Sequence, residues 1–160
     1  LRLRTIRLTD LPYFLRWWRH PAISKLTSGS PKVPTERWIA RRVVEMINPS
    51  QDIHRIILAN GKPIGHCALI PRRGNQYETQ IVIGEPRWWN KGFGTRAIRL
   101  LLNIGGFFNI KLEVQPSNTR AIRAYEKCGF LRSGYRYYPH NPYLPKTLVM
   151  RRKNAIKRYG

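Results

Sequence analysis

Acidic residues are scarce in this sequence. Its 160 residues include 8 aspartates and glutamates against 30 lysines and arginines, which gives a formal net charge of +22 at pH 7. This excess of positive charge goes far beyond what solubility requires of a small domain. It indicates a polyanionic partner, of which RNA or DNA is the most common, although a phosphate-rich cofactor would account for part of the basic surface.

Cysteine and histidine are also sparse. Cys67 and Cys128 lie far apart and form no CxxC pair, so we expect free thiols in a reducing compartment, the cytoplasm or an organellar matrix. The four histidines show no spacing typical of metal ligands, so we expect no metal site. No apolar run reaches the length of a membrane span, which predicts that the chain has no membrane segment.

The residues that are present favour one packed domain. The sequence is 42% hydrophobic and contains five tryptophans, eight tyrosines and five phenylalanines. It shows no internal repeat and no low-complexity segment. We therefore expect a single domain over residues 1–160, with a basic C-terminal tail from about residue 151.

Apolar periodicity, capping residues and turn residues together predict a mixed α/β fold. The Asn60-Gly61 dipeptide predicts a β-hairpin, because both residues adopt positive φ readily. The expected elements are, in order, a strand in LRLRTIRL, a helix in DLPYFLRWWRH that ends before Pro21, a loop, a helix in PTERWIARRVVEMI capped by Thr35, the hairpin, a strand in YETQIVIG, a helix ending at Gly105-Gly106, a strand in IKLEV, a helix in SNTRAIRAYEKCGF ending at Gly129, and strands in LRSGYRYY and KTLVMRR.

The segment WWNKGFGT connects a predicted strand to a predicted helix. Gly92 and Gly94 would expose backbone N–H groups beside a helix N-terminus, an arrangement that holds phosphate. The spacing is not the strict G-x-G-x-x-G dinucleotide motif, because Ala97 stands where the third glycine or alanine falls, so a dinucleotide site remains only in its loosest form. It also differs from the Walker motif, because Lys91 precedes the glycines. Two glycines alone favour a tight strand-to-helix turn over a phosphate site, and both interpretations stay open.

A second motif, PSNTRAIRAYEKCGF, follows about twenty residues later and contains the pattern N-x-x-A-x-x-x-Y-x-x-x-G-F. With this motif, nearly the whole sequence resembles the GNAT superfamily of N-acetyltransferases. Within it, the sequence is most similar to the branch of ribosomal-protein N-terminal acetyltransferases and aminoglycoside N-acetyltransferases. The resemblance implies the GNAT acyl-CoA N-acyltransferase fold, a mostly antiparallel central sheet that splays at the cofactor cleft and is flanked by about four helices.

The resemblance also implies acetyl-CoA as cosubstrate and assigns residues to it. Backbone groups would pair with the pantetheine arm, N–H groups would hold the pyrophosphate, and Asn118 would contact the cofactor or secure the splayed strands. Basic side chains beside the loop would add charge near the phosphates, although each is equally typical of an ordinary exposed surface. The residues are Ile81, Val82 and Ile83 for the arm, the N–H groups of Lys91, Gly92, Phe93, Gly94 and Thr95 for the pyrophosphate, and Arg87, Lys91 and Arg96 for the charge.

Two catalytic residues follow from the same resemblance. Glu78 would be the general base that takes a proton from the amine. The alternative is that Glu78 is only an exposed strand carboxylate paired with an arginine. Glu85 and Glu113 are weaker candidates for the base. Tyr125 would protonate the leaving thiolate. The alternative is that Tyr125 is only an aromatic residue of the core. A phenol with a pKa of about 10 is a weaker acid than a thiol with a pKa of about 8.5, so this tyrosine would contribute about one or two orders of magnitude at most.

The sequence departs from the family pattern at the phosphate loop. The family usually has Gln or Arg at its first position, where this chain has Trp89, and Asn90 replaces a frequent glycine. The stretch from Thr95 to Val114 is also a few residues shorter than usual. These departures affect how strongly the loop holds phosphate and how deep the cleft is.

The predicted function is transfer of an acetyl group from acetyl-CoA to a primary amine, by direct attack in a ternary complex. A protein N-terminus, with an amine pKa near about 7.8, demands less of Glu78 than a lysine near about 10.4. Aminoglycosides are polycations that need carboxylates, which are scarce here, so the sequence disfavours them. The alternative is an RNA-bound structural component of a ribonucleoprotein such as a ribosome, with little catalytic activity. Cations spread over several faces would favour that alternative, and cations around the cleft would favour the enzyme.

Overall fold

The computed structural model describes residues 1–48, 51–104 and 109–153 of the chain. Over these ranges, the structure has seven strands in one sheet and five α-helices. The strands are β1 (Arg2–Arg4), β2 (Ile53–Ala59), β3 (Lys62–Arg72), β4 (Gln76–Ile83), β5 (Asn109–Val114), β6 (Leu131–Tyr137) and β7 (Lys146–Lys153). The helices are α1 (Leu11–Trp18), α2 (Pro21–Thr27), α3 (Glu36–Ile47), α4 (Phe93–Leu102) and α5 (Thr119–Lys127), with short 3-10 turns at Leu8–Asp10 and Pro86–Trp88.

The strand order in the sheet is β1-β2-β3-β4-β5-β7-β6. Every neighbouring pair is antiparallel except β4 and β5, which are parallel. The parallel pairing joins only Gln76–Glu78 to Asn109–Lys111. Beyond these residues β4 stays paired with β3 and β5 stays paired with β7. The sheet is therefore mostly antiparallel and splays between β4 and β5, as predicted.

Two apolar cores fix the helices on opposite faces of the sheet. On one face α1 and α3 pack against β2 through a cluster that includes Phe14, Trp17, Ile39 and Val43. On the other face α4 and α5 pack against the sheet, and the buried residues on these two helices include Ile98 and Tyr125. Burying one large apolar side chain contributes about 1.5–3 kcal/mol, so each cluster stabilises the position of its helices.

Local sequence signals explain most element boundaries. Thr35 caps α3, since its Oγ1 accepts a hydrogen bond from the Trp38 N–H at 3.2 Å. Asn60 and Gly61 both have positive φ, 49° and 76°, and turn β2 into β3 as the dipeptide predicts. Gly129, with a φ of 85°, ends the α5 segment in the left-handed region that favours glycine. These three predictions are confirmed.

The prediction of a loop after Pro21 is wrong. Pro21 begins α2 instead of only ending the preceding helix, because proline is tolerated in the first turn, where its missing N–H has no helical partner. The Nδ1 of His20 accepts a hydrogen bond from the Ala22 N–H at 3.2 Å and caps this helix. The sheet is consequently flanked by five α-helices instead of about four.

Three further expectations concern segment ends. Helix α4 ends at Leu102, and the predicted stop at Gly105-Gly106 lies outside the described residues. A basic tail is expected from about residue 151, but Arg151–Lys153 belong to β7, and residues 154–160 lie outside the described residues. Among the residues described, no helix is both long and apolar enough to cross a membrane.

Candidate active site

A cavity of about 480 Å³ opens where β4 and β5 separate. Its walls come from α2, the end of β4, the loop before α4, the first half of α4 and most of α5. The described residues that line it are Ile23, Leu26, Thr27, Ile81, Val82, Ile83, Trp88, Trp89, Asn90, Gly92, Phe93, Gly94, Thr95, Ile98, Asn118, Thr119, Arg120, Ala121, Arg123, Ala124, Tyr125 and Lys127. The structure thus brings most of the residues predicted for the cofactor to one place.

The N-terminus of α4 opens onto this cavity without a side-chain cap. Gly92 precedes the helix with a φ of 77°, a left-handed conformation that glycine adopts at little cost. A Cβ placed on Gly94 would meet no protein atom within 4 Å, so internal packing does not require glycine there. N–H groups in the first turn of a helix suit phosphate oxygens. This arrangement fits the pyrophosphate of acetyl-CoA.

The end of β4 forms a second wall, where Ile81, Val82 and Ile83 line the cavity. One of its backbone groups is already engaged, because the indole Nε1 of Trp89 donates a hydrogen bond to the Ile83 carbonyl at 3.0 Å. Tyr77, Ile81 and Ile83 pack against the core below α4 and α5. The part of β4 that has no β5 partner is where an extended cofactor arm would add its own backbone-like hydrogen bonds.

Asn118 has a structural role at the far wall of the cavity. Its Oδ1 accepts a hydrogen bond from the Ala121 N–H at 3.3 Å and caps α5. Because the residue also lines the cavity, it fixes the start of α5 beside the opening.

The charges predicted near the phosphates are arranged differently from the expectation. Arg87 and Lys91 lie over the Trp88 ring, with Cζ and Nζ at 5.2 and 5.6 Å from its centroid. Arg87 Nε is also 2.6 Å from Glu85 Oε2. Neither basic residue is among the lining residues. The cations that do line the cavity are Arg120, Arg123 and Lys127 on α5, and no carboxylate from the described part of the chain lines it.

Glu78 stands at the point where the sheet opens. It is the last residue of β4 paired with β5, opposite Lys111. Because side chains alternate along a strand, Glu78 points away from the face that carries Tyr77 and Ile81. It lies outside the cavity, and Arg72 Nε donates a hydrogen bond to its carboxylate at 2.8 Å. The ion pair with an arginine is therefore present in the structure, and the role of Glu78 as general base stays a prediction.

Tyr125 lies on the opposite face of the sheet from Glu78. It is buried on α5, lines the cavity, and packs edge-on against Phe130 with ring centroids 5.7 Å apart. Burial, with smaller effects from Cys128 and Cys67, raises the pKa of the Tyr125 hydroxyl well above its ordinary value. The phenol therefore stays protonated at neutral pH and can donate a hydrogen bond to the leaving sulfur, but it is a weak acid.

Glu113 has more hydrogen-bond partners than the other weaker candidate, Glu85. Its Oε1 accepts hydrogen bonds from Tyr138 OH at 2.5 Å and Thr147 Oγ1 at 2.7 Å, and Arg136 Nη1 is 3.4 Å from Oε2. Burial alone would raise the pKa of Glu113, but these hydroxyls and nearby positive charges hold the pKa below its usual range. Ile110, Leu112 and Val114 face the α4–α5 core, so alternation places Glu113 on the same face as Glu78.

Two parts of the site have no counterpart among the sequence predictions. Helix α2 contributes Ile23, Leu26 and Thr27 to the cavity, and its signal was the apolar pair Ile23 and Leu26 after a proline at the first helical position. The second part is Arg120, whose guanidinium lies over the Trp89 ring at 3.7 Å from Cζ to centroid. No local pattern predicts this contact between residues 31 positions apart.

Residues 1–131 match the family model of the acetyltransferase (GNAT) domain. The match covers most of the chain, so the chain belongs to the GNAT acetyltransferase family. It is an acetyl-CoA-dependent N-acetyltransferase, and the resemblance found in its sequence is confirmed.

The chain is similar to two curated proteins, both connected with aminoglycosides by name. Aminoglycoside N(6')-acetyltransferase type 1 of Klebsiella pneumoniae is 27% identical over 157 residues, covering 88% of this chain and 78% of the relative. A kanamycin resistance protein of Rhizobium radiobacter is 45% identical over 56 residues, covering 32% of this chain and 52% of the relative.

Solved structures share the fold. The aminoglycoside acetyltransferase AAC(6')-Ib in complex with ribostamycin and coenzyme A superposes with a TM-score of 0.79 at 23% identity, covering 95% of this chain and 92% of that one. A GNAT-family acetyltransferase of Bacillus anthracis superposes with a TM-score of 0.80 at 22% identity, covering 94% of this chain and 93% of that one. These likenesses confirm the predicted fold class.

Proposed function

We propose that the chain acetylates a primary amine of a small cationic molecule of the aminoglycoside type, by direct attack in a ternary complex with acetyl-CoA. The observation that carries this proposal is the placement of Glu78 at the opening between β4 and β5, on the face opposite Tyr125. Acetyl-CoA supplies an acetyl group activated as a thioester. The amine would approach from the Glu78 face, and the thiolate would leave on the Tyr125 face.

Carboxylates near the opening support a cationic acceptor. Glu78, Glu85 and Glu113, three of the eight acidic residues in the chain, lie on β4, on β5 or in the loop before α4. Acidic residues are scarce in the chain as a whole, but three of them lie near the opening between β4 and β5. The sequence argument against aminoglycosides is therefore weaker. Each of the three is ion-paired with arginine, so a bound polyamine would compete with Arg72, Arg16 or Arg136.

The relatives add independent support for this acceptor class. The Klebsiella protein is named as an aminoglycoside acetyltransferase, and the Rhizobium protein as a kanamycin resistance protein. A protein N-terminus, which the sequence favoured for its lower pKa, has no comparable support among these names. We retain it as the competing acceptor.

A substrate panel tests the proposal. Purified protein is incubated with acetyl-CoA and ribostamycin, spermidine or a short peptide with a free N-terminus, and thiol release and product mass are measured. We expect ribostamycin to be acetylated faster than the other two, and the Glu78→Gln variant to lose this rate. Acetylation of the peptide alone would refute the acceptor class, and no thiol release with any amine would refute the enzyme function.

The RNA-bound alternative gains no support from the family match or from the named relatives. Exposed cations occur on most elements, for example Arg2 on β1, Arg37 on α3 and Arg132 on β6, instead of only at the cleft. A polyanionic partner such as rRNA, association with the ribosome, and residence in a reducing compartment stay predictions. Affinity for structured RNA that falls steeply with salt would support the first, and a flat response would contradict it.

A further inference from the structure

The contact between Arg120 and Trp89 joins two separate walls of the cavity. Trp89 lies in the loop before α4, and Arg120 is the second residue of α5. The guanidinium Cζ is 3.7 Å from the centroid of the indole ring, the shortest cation–π distance among the described residues. Both residues line the cavity. The stack therefore places a positive charge at the edge of the cofactor cleft.

Arg120 lacks an anionic partner in the described part of the chain. All eight carboxylates are described, and seven of them lie within 4.0 Å of an arginine other than Arg120. The eighth, Asp52, faces His54 at 3.6 Å. Partial burial lowers the pKa of Arg120, as expected for a cation moved out of water without a counter-charge. Its N–H donors are unused by any carboxylate.

Trp89 is a fixed platform for this arginine. Its Nε1 donates a hydrogen bond to the Ile83 carbonyl, which ties the indole to the end of β4. Stacking a guanidinium on an indole leaves the N–H groups around its rim available, because the contact uses only the flat face. The pair therefore orients a planar set of donors without consuming them.

We propose that Arg120, held by Trp89, binds a phosphate of the cofactor beside the N–H groups of the first turn of α4. This inference rests on acetyl-CoA as cosubstrate and adds a binding residue from α5. In this arrangement Trp89 acts as a positioning residue, and the arginine expected near the loop is supplied by a different element. A phosphate accepts two parallel hydrogen bonds from one guanidinium, which favours arginine over lysine here.

Calorimetric titration with coenzyme A tests the assignment. We expect Arg120→Ala to weaken binding by about tenfold to hundredfold, the range for a lost charge-assisted hydrogen bond. Arg123→Ala removes the same charge from the same helix and cavity wall without an aromatic ring below it, and Arg37→Ala removes it from α3. For both control variants, we expect the change in log Kd for coenzyme A to be less than a third of the change in Arg120→Ala. Equal losses for Arg120→Ala and Arg123→Ala would overturn the proposal.

An exchange variant separates a specific contact from a folding defect. Arg120→Lys keeps the charge but loses the planar stack, and should lose much of the affinity. The exchange variant combines Trp89→Arg with Arg120→Ala and so places a guanidinium on the loop instead of on α5. It should recover part of the coenzyme A affinity that Arg120→Ala loses. Thermal melting of each variant verifies that it folds. No recovery in a folded exchange variant, together with unchanged binding in Arg120→Lys, would overturn the role of the stack.

Truncated probes and steady-state kinetics locate the contact. The loss in Arg120→Ala should disappear with pantetheine, which has no phosphate, and in kinetics it should appear in the KM for acetyl-CoA with kcat nearly unchanged. An equal loss with pantetheine would contradict a phosphate contact. If the wild-type protein binds coenzyme A and Arg120→Ala binds it equally well, only this inference fails. If the wild-type protein does not bind coenzyme A, the proposed function fails with it.

Discussion

The two sides of the opening between β4 and β5 carry opposite chemistry. The side of α4 and α5 presents an uncapped helix N-terminus and three cations, with no carboxylate of the described chain lining the cavity. The other side presents Glu78 and Glu113, each fixed by arginine, and Glu113 also by two hydroxyl groups. A chain with a net charge of +22 therefore keeps carboxylates where an amine would enter and leaves them out where a phosphate would bind.

This contrast shows that net charge predicts a partner poorly for a single site. The local sign follows from which strand face a residue occupies, and a shift of one position along β4 or β5 moves a side chain to the other face. Where β4 and β5 separate, the two faces of the sheet meet at one opening, next to the last β4–β5 pair. Glu78 stands at that point, and Tyr125 lies on the far side of it.

The largest effect should come from removing the carboxylate at this point. We expect Glu78→Gln to lower kcat by about 10²–10⁴-fold, the range for a general base, while the KM for acetyl-CoA changes little. Initial rates measured over a range of pH will test this. Glu113→Gln provides the control on the same face, where an indirect role predicts a smaller loss. A Glu78→Gln enzyme with wild-type kcat would show that this carboxylate is not the base.

A smaller effect is expected on the other face. Tyr125→Phe should lower kcat by about tenfold to a hundredfold, because a buried phenol with a raised pKa assists the leaving sulfur weakly. The loss should shrink with a thioester whose thiol has a lower pKa. A loss as large as that of Glu78→Gln would invert the proposed division of roles.

The loop glycines separate a cofactor site from a simple turn. Gly94→Ala should leave the thermal stability unchanged or higher, since alanine favours helix and its Cβ meets no protein atom within 4 Å. The same variant should weaken coenzyme A binding by about tenfold, because the methyl group would crowd phosphate oxygens at hydrogen-bond distance. Gly92→Ala is the matched control, and it should lose about 1–2 kcal/mol of stability, since its φ is 77°.

Unchanged affinity in a stable Gly94→Ala protein would favour the tight-turn interpretation. Calorimetry and melting curves on the same samples distinguish the two outcomes. This pair of variants therefore resolves the alternatives that the two glycines leave open.

The smallest expected effect concerns stability at acid pH, through the histidines His54 on β2 and His66 on β3. His66 on β3 contacts His54, with 3.2 Å between His66 Nε2 and His54 Nδ1, and burial lowers the pKa of His66 to about 3. Its ordinary pKa is near about 6.5, so the unfolded state binds more protons than the folded state between these values. Stability should therefore be complete above about pH 6.5 and decrease as the pH falls towards 3. The lowered pKa of His54, caused mainly by burial, acts in the same direction.

Melting temperatures at pH 7 and pH 5 measure this effect. His66→Gln should reduce the difference between the two temperatures, whereas His140→Gln, at an exposed position, should leave it unchanged. An identical difference in wild type and His66→Gln would mean that this imidazole does not control the acid response.

Most of the fold was predictable because its signals are local. The Asn60-Gly61 turn, the Thr35 cap and the apolar stripe of α4 depend on neighbours within a few residues. Helix α2 was missed because Pro21 can either end one helix or begin the next, and the choice depends on packing that the sequence does not display.

The site was predictable where a contiguous motif carries it. Gly92, Gly94, Asn118 and Tyr125 lie in two such motifs, and the structure gathers them around one cavity. The contacts of Arg120 with Trp89 and of Glu113 with Tyr138 join distant segments, so spacing alone cannot predict them. Arg87 and Lys91 differ from these, because they lie at exposed positions over the neighbouring Trp88 ring, a local contact that the motif does not indicate.

In the proposed mechanism, the opening between β4 and β5 binds cofactor and amine together, one on each side. Initial rates measured while acetyl-CoA and ribostamycin are varied against each other test it directly. A ternary complex requires double-reciprocal lines that intersect, and we expect this pattern. Parallel lines, which indicate a covalent acetyl-enzyme and a ping-pong order, would contradict it.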